Sequence, residues 1–277
     1  MTDLVVQGTG ATAALAARLA DLSGAHDCRA VTGGVWRCSG VIRQEGVVAA
    51  AAALRADAAF VPAHRRLADF RLVAMDMDST LITIECIDEI ADMVGVKPQV
   101  AAITASAMRG EIAFPESLRR RVGLLNGLAE SALQRVYDER LRLSPGAETM
   151  LASMKATGFR SLLVSGGFTY FTSRLETRLG LDFTLANTLE ILDGKLTGRV
   201  LGDIVDATAK AEKVKSVCAR LGISPSQSIV IGDGANDLEM MAAGGVSVAY
   251  KAKPVVQAKA GHALNFSGLD GVLNLFA

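Results

Sequence analysis

The chain has 277 residues, half of them hydrophobic, and its 29 basic residues balance 29 acidic ones. That length sets a prior of about two domains, and that apolar content supplies a sizeable core. The charge balance argues against nucleic acid or an anionic membrane surface as a partner, and no uncharged apolar run is long enough to span a bilayer.

No signal peptide is recognisable, so a cytoplasmic protein is expected. Cys28, Cys38, Cys86 and Cys218 lack zinc-like spacing, and reduced thiols are the expectation there. Cys218 shares a helical face with Val214, Val217 and Leu221, which marks it as core.

Residues 1–68 read as a small α+β unit. A strand at Leu4–Val6 precedes an alanine-rich helix over Thr12–Leu22. A hairpin follows at Cys28–Val31 and Val35–Cys38, then a helix over Val47–Leu54 and a strand at Ala58–Val61. The order β-α-β-β-α-β suits a ferredoxin-like sandwich. The unit resembles an ACT-type amino-acid-binding module; a structural or dimerising appendage without a ligand, giving a homodimer, is the other reading. Pro62–Asp69 reads as a linker. His64 and His262 stand alone in the sequence and receive no role.

From residue 69 to 277 the pattern changes to strands alternating with helices, the mark of a doubly wound parallel sheet. Leu72–Met75 is an apolar strand that runs into Asp76 and Asp78. If the extended backbone persisted through Met77, both carboxylates would project to one side. Two such acids suit a metal ion or an acid/nucleophile pair, and a solvated turn is the bland alternative. Residues 84–141 then hold about four helical stretches: Ile84–Val94, Val100–Met108, Pro115–Leu125 and Glu130–Leu141. They form a helical insertion directly after the aspartate pair.

Ser144 is a candidate N-cap with Pro145 at the first helical position. A strand at Ser161–Val164 ends in Ser165, Gly166 and Gly167. A helix to Leu179, a short strand at Phe183–Ala186 and a hairpin turning at Asp193-Gly194 follow. Ala209–Leu221 is amphipathic. Ser228–Ile231 is a buried strand ending in Gly232-Asp233-Gly234-Ala235-Asn236-Asp237, and a helix, a strand at Val246–Ala249 and a closing helical segment complete the chain.

Three strands thus end in small polar clusters, and in open α/β sheets ligands bind at that edge. Asp76/Asp78, Ser165/Gly166/Gly167 and Asp233/Asn236/Asp237 should meet in one crevice. The set suits phosphoryl transfer: carboxylates serve as nucleophile and as Mg²⁺ ligands, while a hydroxyl and glycine amides cradle phosphate. Lys210 is placed to offset charge on the transferring group.

Asp76-Met77-Asp78-Ser79-Thr80-Leu81, Val164-Ser165-Gly166-Gly167, Lys210 and the Gly232–Asp237 stretch, in that order and at those separations, resemble the haloacid dehalogenase superfamily of phosphatases. Glu85-Cys86-Ile87-Asp88-Glu89-Ile90-Ala91, Met108-Arg109-Gly110 and Phe114 through Arg121-Val122 are similar to the branch of that family that hydrolyses phosphoserine. The likeness runs from about Arg71 to the C-terminus and leaves residues 1–68 unspecified. Met77 departs from the pattern, where an aromatic is common.

The resemblance implies an Mg²⁺-dependent phosphatase that releases L-serine and phosphate from O-phospho-L-serine, the last step of serine synthesis. It makes Asp76 the nucleophile and Asp78 the general acid/base. Mg²⁺ would be held by the Asp76 carboxylate, the Asp78 backbone carbonyl and Asp233. Ser165, the Gly166 amide and Asn236 would bind phosphate, Lys210 would bridge phosphate and nucleophile, and Asp237 would orient the lysine and the metal's waters. The insertion becomes a cap in which Glu85 takes the substrate ammonium, Arg121 its carboxylate, and Met108 and Phe114 exclude water. Arg119 and Arg120 are distinguished from Arg121 only by the family's register. A phosphatase or phosphotransferase for another small phosphomonoester, such as phosphohomoserine, is the alternative; a non-catalytic amino-acid sensor is the remote one.

Overall fold

The computed structural model describes residues 1–276. The first unit contains β1 (Thr2–Gln7), α1 (Ala13–Ser23), β2 (His26–Thr32), β3 (Val35–Ser39), α2 (Val47–Ala52) and β4 (Asp57–Pro62). Its antiparallel sheet has the order β2-β3-β1-β4. The Thr12 side chain caps α1 by accepting from the Leu15 N–H, and Gly24 in the left-handed region ends it.

Strand alternation explains why Leu4, Val5 and Val6 of β1 are apolar in succession. Leu4 and Val6 pack with Leu15, Leu19, Val47 and Ala51 of the two helices. Val5 faces the other way and joins Val35, Ala59 and Val61 in the main core. Both faces of β1 are therefore covered, while β2 at the sheet edge stays exposed. Cys28 and Cys38 correct the expectation of reduced thiols. They lie opposite each other on β2 and β3 and form a disulfide, with Cα atoms 3.9 Å apart. Cys86 and Cys218 are free and buried, as expected of Cys218.

The second sheet is built from β5 (Leu72–Met75), β6 (Arg160–Phe168), β7 (Phe183–Leu192), β8 (Lys195–Leu201), β9 (Ser228–Gly232), β10 (Val246–Tyr250) and β11 (His262–Leu264). Its order is β11-β10-β9-β5-β6-β7-β8, parallel except where β8 turns back on β7. β5 lies inside it, with Met75 in register with Ile231 on one side and Leu163 on the other. Val73 and Met75 pack on one face; Leu72 and Ala74 pack on the other, with Val214, Val217 and Cys218 of a helix. Full burial of each such side chain contributes about 1.5–3 kcal/mol.

The remaining helices are α3 (Cys86–Met93), α4 (Lys97–Met108), α5 (Phe114–Gly123), α6 (Ser131–Arg135), α7 (Ala147–Ala156), α8 (Thr169–Leu179), α9 (Ala207–Leu221), α10 (Leu238–Ala243) and α11 (Pro254–Gln257). The first four follow β5 and precede β6 along the chain. The helix expected over Glu130–Leu141 is divided, α6 passing into a π-helical turn at Val136–Arg140. No described helix is long and apolar enough to cross a membrane.

Two local expectations fail for tertiary reasons. Ser144 does not cap α7: it is buried, and its N–H donates to the Leu81 carbonyl. Gly146 takes the cap position at φ 78°, where a Cβ would meet Asp270 Oδ1 at 2.1 Å. The closing segment is not all helical, because His262–Leu264 adds a short parallel edge strand to β10 before a 3-10 turn at Leu269–Leu275. The Asp193-Gly194 hairpin does form, with φ 50° and 72° at the two turn residues.

Candidate active site

β5 delivers Asp76 to the carboxyl edge of the sheet, where its N–H still donates to the Ile231 carbonyl at 3.0 Å. The extended backbone stops there. Residues Met77–Leu81 form a wide turn closed by the Leu81 N–H on the Asp76 carbonyl, with Ser79 left-handed at φ 58°. Asp78 is therefore placed by a turn rather than by strand alternation. Its carboxylate lies beside Gly167, where a Cβ would stand 3.0 Å from both Asp78 Oδ2 and Ser165 Oγ.

α9 supplies the cation. Asp206 caps this helix by accepting from the Ala209 N–H at 2.9 Å, which fixes Lys210 in its first turn. Lys210 is fully buried, and its Nζ donates to Asp76 Oδ1 at 2.5 Å and to Asp237 Oδ1 at 2.8 Å. Asp237 Oδ2 in turn accepts from the N–H groups of Asp233 and Gly234 at 3.2 and 3.0 Å. A Cβ on Gly232 would meet that oxygen at 2.5 Å, so the close approach needs glycine. Thr80 Oγ1 donates to Asp233 Oδ1 at 3.1 Å.

Asp76, Asp233 and Asp237 each present a carboxylate oxygen within 4.8 Å of the others. Three carboxylates against one lysine leave net negative charge in a largely buried site. Burial pushes Asp76 up, opposed by Lys210 and reinforced by Asp237. Burial, with Asp237 and Glu85, pushes Asp233 up to about 6. Burial alone would lower the Lys210 ammonium, but Asp237 and Asp76 together raise it, so it stays charged. An all-oxygen donor set with uncompensated charge fits a hard divalent cation.

Asp78 differs from its neighbours. It makes no ion pair, and its Oδ1 is buried without a hydrogen-bond partner. Burial, then the nearby Glu85, pushes its carboxyl up to about 8, while the Cys86 thiol and N–H pull the other way. On its other side Ser165 is buried, and its Oγ accepts from the Gly167 N–H at 2.8 Å. Phe114 reaches down from α5 onto Gly166, where a Cβ would stand 3.1 Å from its ring.

Across the crevice, Glu85 accepts from Ser79 Oγ at 2.7 Å. Desolvation in the crevice pushes its carboxyl up and Asp88 adds to this, whereas Ser79, Lys253 and Arg121 oppose. Arg121 donates from Nε to the Ser117 carbonyl at 3.3 Å and faces Asp88, Glu85 and Asp78. Arg119 and Arg120 are exposed, and Arg120 pairs with Glu116 on the helix surface. The turn of α5 thus directs Arg121 alone of the three towards the acids.

Met108 lies at the rim, 64% exposed, with its Sδ 3.9 Å from Lys253 Nζ. Asn236 is also exposed, its side-chain oxygen folded over Gly234. Sequence reasoning passed over Ser79, Thr80, Cys86, Asp88 and Lys253. Asp88 and Cys86 had a usable signal, since each lies within one helical turn of Glu85. Lys253 had none, because the loop after β10 meets this crevice only through the sheet order.

A model of the haloacid dehalogenase-like hydrolase family matches residues 73–242. A phosphoserine phosphatase of Albidiferax ferrireducens is 53% identical over 216 residues, 76% of this chain and 91% of that one. A phosphoserine phosphatase of Streptomyces coelicolor is 47% identical over 277 residues, 96% of this chain and 67% of that one. The crystal structure of a HAD-family hydrolase from Salmonella enterica serovar Typhi is 33% identical, with a TM-score of 0.90 over 100% of this chain and 99% of that one.

Proposed function

The chain belongs to the haloacid dehalogenase-like hydrolase family, and we propose that it hydrolyses O-phospho-L-serine to L-serine and phosphate, closing the route to serine. One observation carries the chemistry. Two aspartates two residues apart sit in different surroundings: Asp76 is ion-paired to the buried Lys210, while Asp78 makes no ion pair, has an Oδ1 buried without a hydrogen-bond partner, and is pushed up to about 8. Such a split is what a nucleophile and a general acid require of their surroundings.

Asp76 attacks phosphorus in line, and the bond from phosphorus to the serine oxygen breaks. Asp78 gives its proton to that departing oxygen. A water then attacks the aspartyl-phosphate, Asp78 takes the water's proton, and phosphate leaves with Asp76 restored. Ser165 Oγ, the Gly166 N–H and Lys210 hold the phosphoryl oxygens, with Asn236 at the outer edge. Asp76 and Asp233, with the Asp78 backbone carbonyl, would hold Mg²⁺, and Asp237, whose oxygens accept from Lys210 and from the Asp233 and Gly234 N–H groups, would orient the lysine and the metal's waters. When bound, the ion supplies charge neutralisation at the phosphoryl group.

Glu85 and Arg121 select the amino acid by taking its ammonium and carboxylate, Arg121 in bidentate fashion. Phe114 closes over Gly166, and Met108 guards the entrance. We take residues 1–68 as a separate unit that does not enter the reaction, the protein as cytoplasmic, and a homodimer as its assembly. Serine and phosphate assayed together decide the reading. Equimolar release from phosphoserine, dependent on Mg²⁺ and stopped by a chelator, is expected. Faster turnover of phosphohomoserine or of phosphomonoesters without an amino-acid group would transfer the activity to another substrate.

A further inference from the structure

We infer that Asn187 is a positioning residue that locks the phosphate-binding hydroxyl to the helix carrying Lys210, an inference that rests on the phosphatase reading above. Asn187 lies on β7 and is 1% exposed. Its Nδ2 donates to the Gly166 carbonyl at 2.8 Å, and its Oδ1 accepts from the Val205 N–H at 2.8 Å. Only this orientation of the amide satisfies a carbonyl on one side and an N–H on the other.

The need for this staple arises from the sheet. β6 and β7 pair at Val164↔Leu185 and again at Phe168↔Asn187, and the register shifts between. Ser165, Gly166 and Gly167 bow out of the ladder there, which frees their backbone groups for a ligand. A freed peptide is free to rotate, and a buried carbonyl without a partner is costly. The Asn187 side chain replaces the missing ladder bond on Gly166.

That bond fixes more than one atom. The Gly166 carbonyl and the Gly167 N–H belong to one planar peptide unit. The Gly167 N–H is the donor that holds Ser165 Oγ at 2.8 Å. Fixing the carbonyl therefore fixes the direction in which the serine hydroxyl is held. On its other arm, Asn187 pins Val205, the residue before the Asp206 cap that starts α9. Lys210 lies four residues beyond that cap, bonded to it through its N–H on the Asp206 carbonyl at 3.0 Å. One buried amide thus sets the spacing between the hydroxyl and the lysine that grip the same phosphoryl group.

Asn187→Ala removes both arms. Asn187→Asp keeps an acceptor for Val205 and puts an oxygen against the Gly166 carbonyl, so it breaks the phosphate arm alone. Both variants, normalised to folded protein by circular dichroism, should lose kcat on phosphoserine roughly 10–100-fold, the scale of a misplacement near 1 Å. Inhibition by inorganic phosphate should weaken about tenfold, the same loss of grip read without turnover. A role confined to stability would lower the melting temperature and leave kcat per folded molecule and phosphate inhibition unchanged, which overturns the inference.

If neither variant folds, hydrogen exchange on the wild-type protein decides. Inorganic phosphate should slow the Gly167 and Val205 amides together; slowing of Gly167 with Val205 indifferent overturns the coupling. A wild type that hydrolyses no phosphomonoester would instead remove the phosphatase reading. Active wild type with indifferent variants removes only the role of Asn187.

Discussion

Asp57 and the aspartates of the crevice are buried in contrasting ways. Asp57, at the start of β4, is 4% exposed and saturated with donors. It accepts from the N–H groups of Asn265, Phe266 and Ser267 at 2.7 to 3.2 Å, and from Ser267 Oγ at 2.7 Å. No lysine or arginine pairs with it among the described residues. Those donors come from the segment after β11, so Asp57 ties the first sheet to the end of the second. The crevice aspartates are crowded together, and Asp78 Oδ1 is buried with no partner. Asp57, with both oxygens satisfied, holds two segments together; Asp78, with one oxygen left wanting, is available for chemistry.

The largest effect that separates the two places is on turnover. Asp76→Asn should reduce phosphate release from phosphoserine by about 10³-fold or more, since an amide cannot serve as the nucleophile. Asp57→Ala should leave kcat per folded molecule unchanged and destabilise the fold by about 3–5 kcal/mol, because several buried donors lose their partner. Denaturant titration with parallel activity measurements checks both. A catalytic defect in folded Asp57→Ala protein would erase the distinction.

A smaller effect tests the cap. Arg121→Ala should raise KM for phosphoserine about 10–100-fold, the range expected for a lost charge-assisted pair. Arg120→Ala should change it less than about twofold, because an exposed i,i+4 ion pair contributes little. Equal effects from the two arginines would contradict the orientation of α5.

The smallest effect is on pH-dependent stability. Asp233 and Asp78 are pushed up to about 6 and about 8, so the folded protein keeps protons that the unfolded chain releases near pH 4. Stability of the metal-free protein should therefore fall as pH rises from about 4 to 8. Saturating Mg²⁺ should raise the melting temperature by a few degrees, and more at pH 8 than at pH 5.5, because protons compete with the ion. A larger shift at the acidic end would contradict the crowded-carboxylate picture.

The parallel core was legible because period and punctuation agreed. Apolar runs of strand length ended in Asp76, Ser165 and Asp233, and the sheet brings these ends to one edge. Lys210 was legible from its place in the first turn of an amphipathic helix. What escaped depended on contacts distant in sequence. The cap of α7 fell to Gly146 because Asp270 occupies the space beside it. Cys28 and Cys38 read as thiols until the hairpin register set them opposite. Asp57 and Asn187 gave no local signal, since their partners lie about 210 and 20 residues away along the chain. The extended reading through Met77 failed at a turn that only the packed crevice holds.

The most direct test of the central claim is to catch the nucleophile in use. Enzyme mixed with phosphoserine and Mg²⁺ would be quenched in acid during turnover, digested and weighed by mass spectrometry. One phosphoryl group on the peptide containing Asp76, absent from the Asp76→Asn variant and from enzyme without substrate, is the expected result. Full turnover with no phosphoryl group on that peptide, or with the group on another residue, would contradict it.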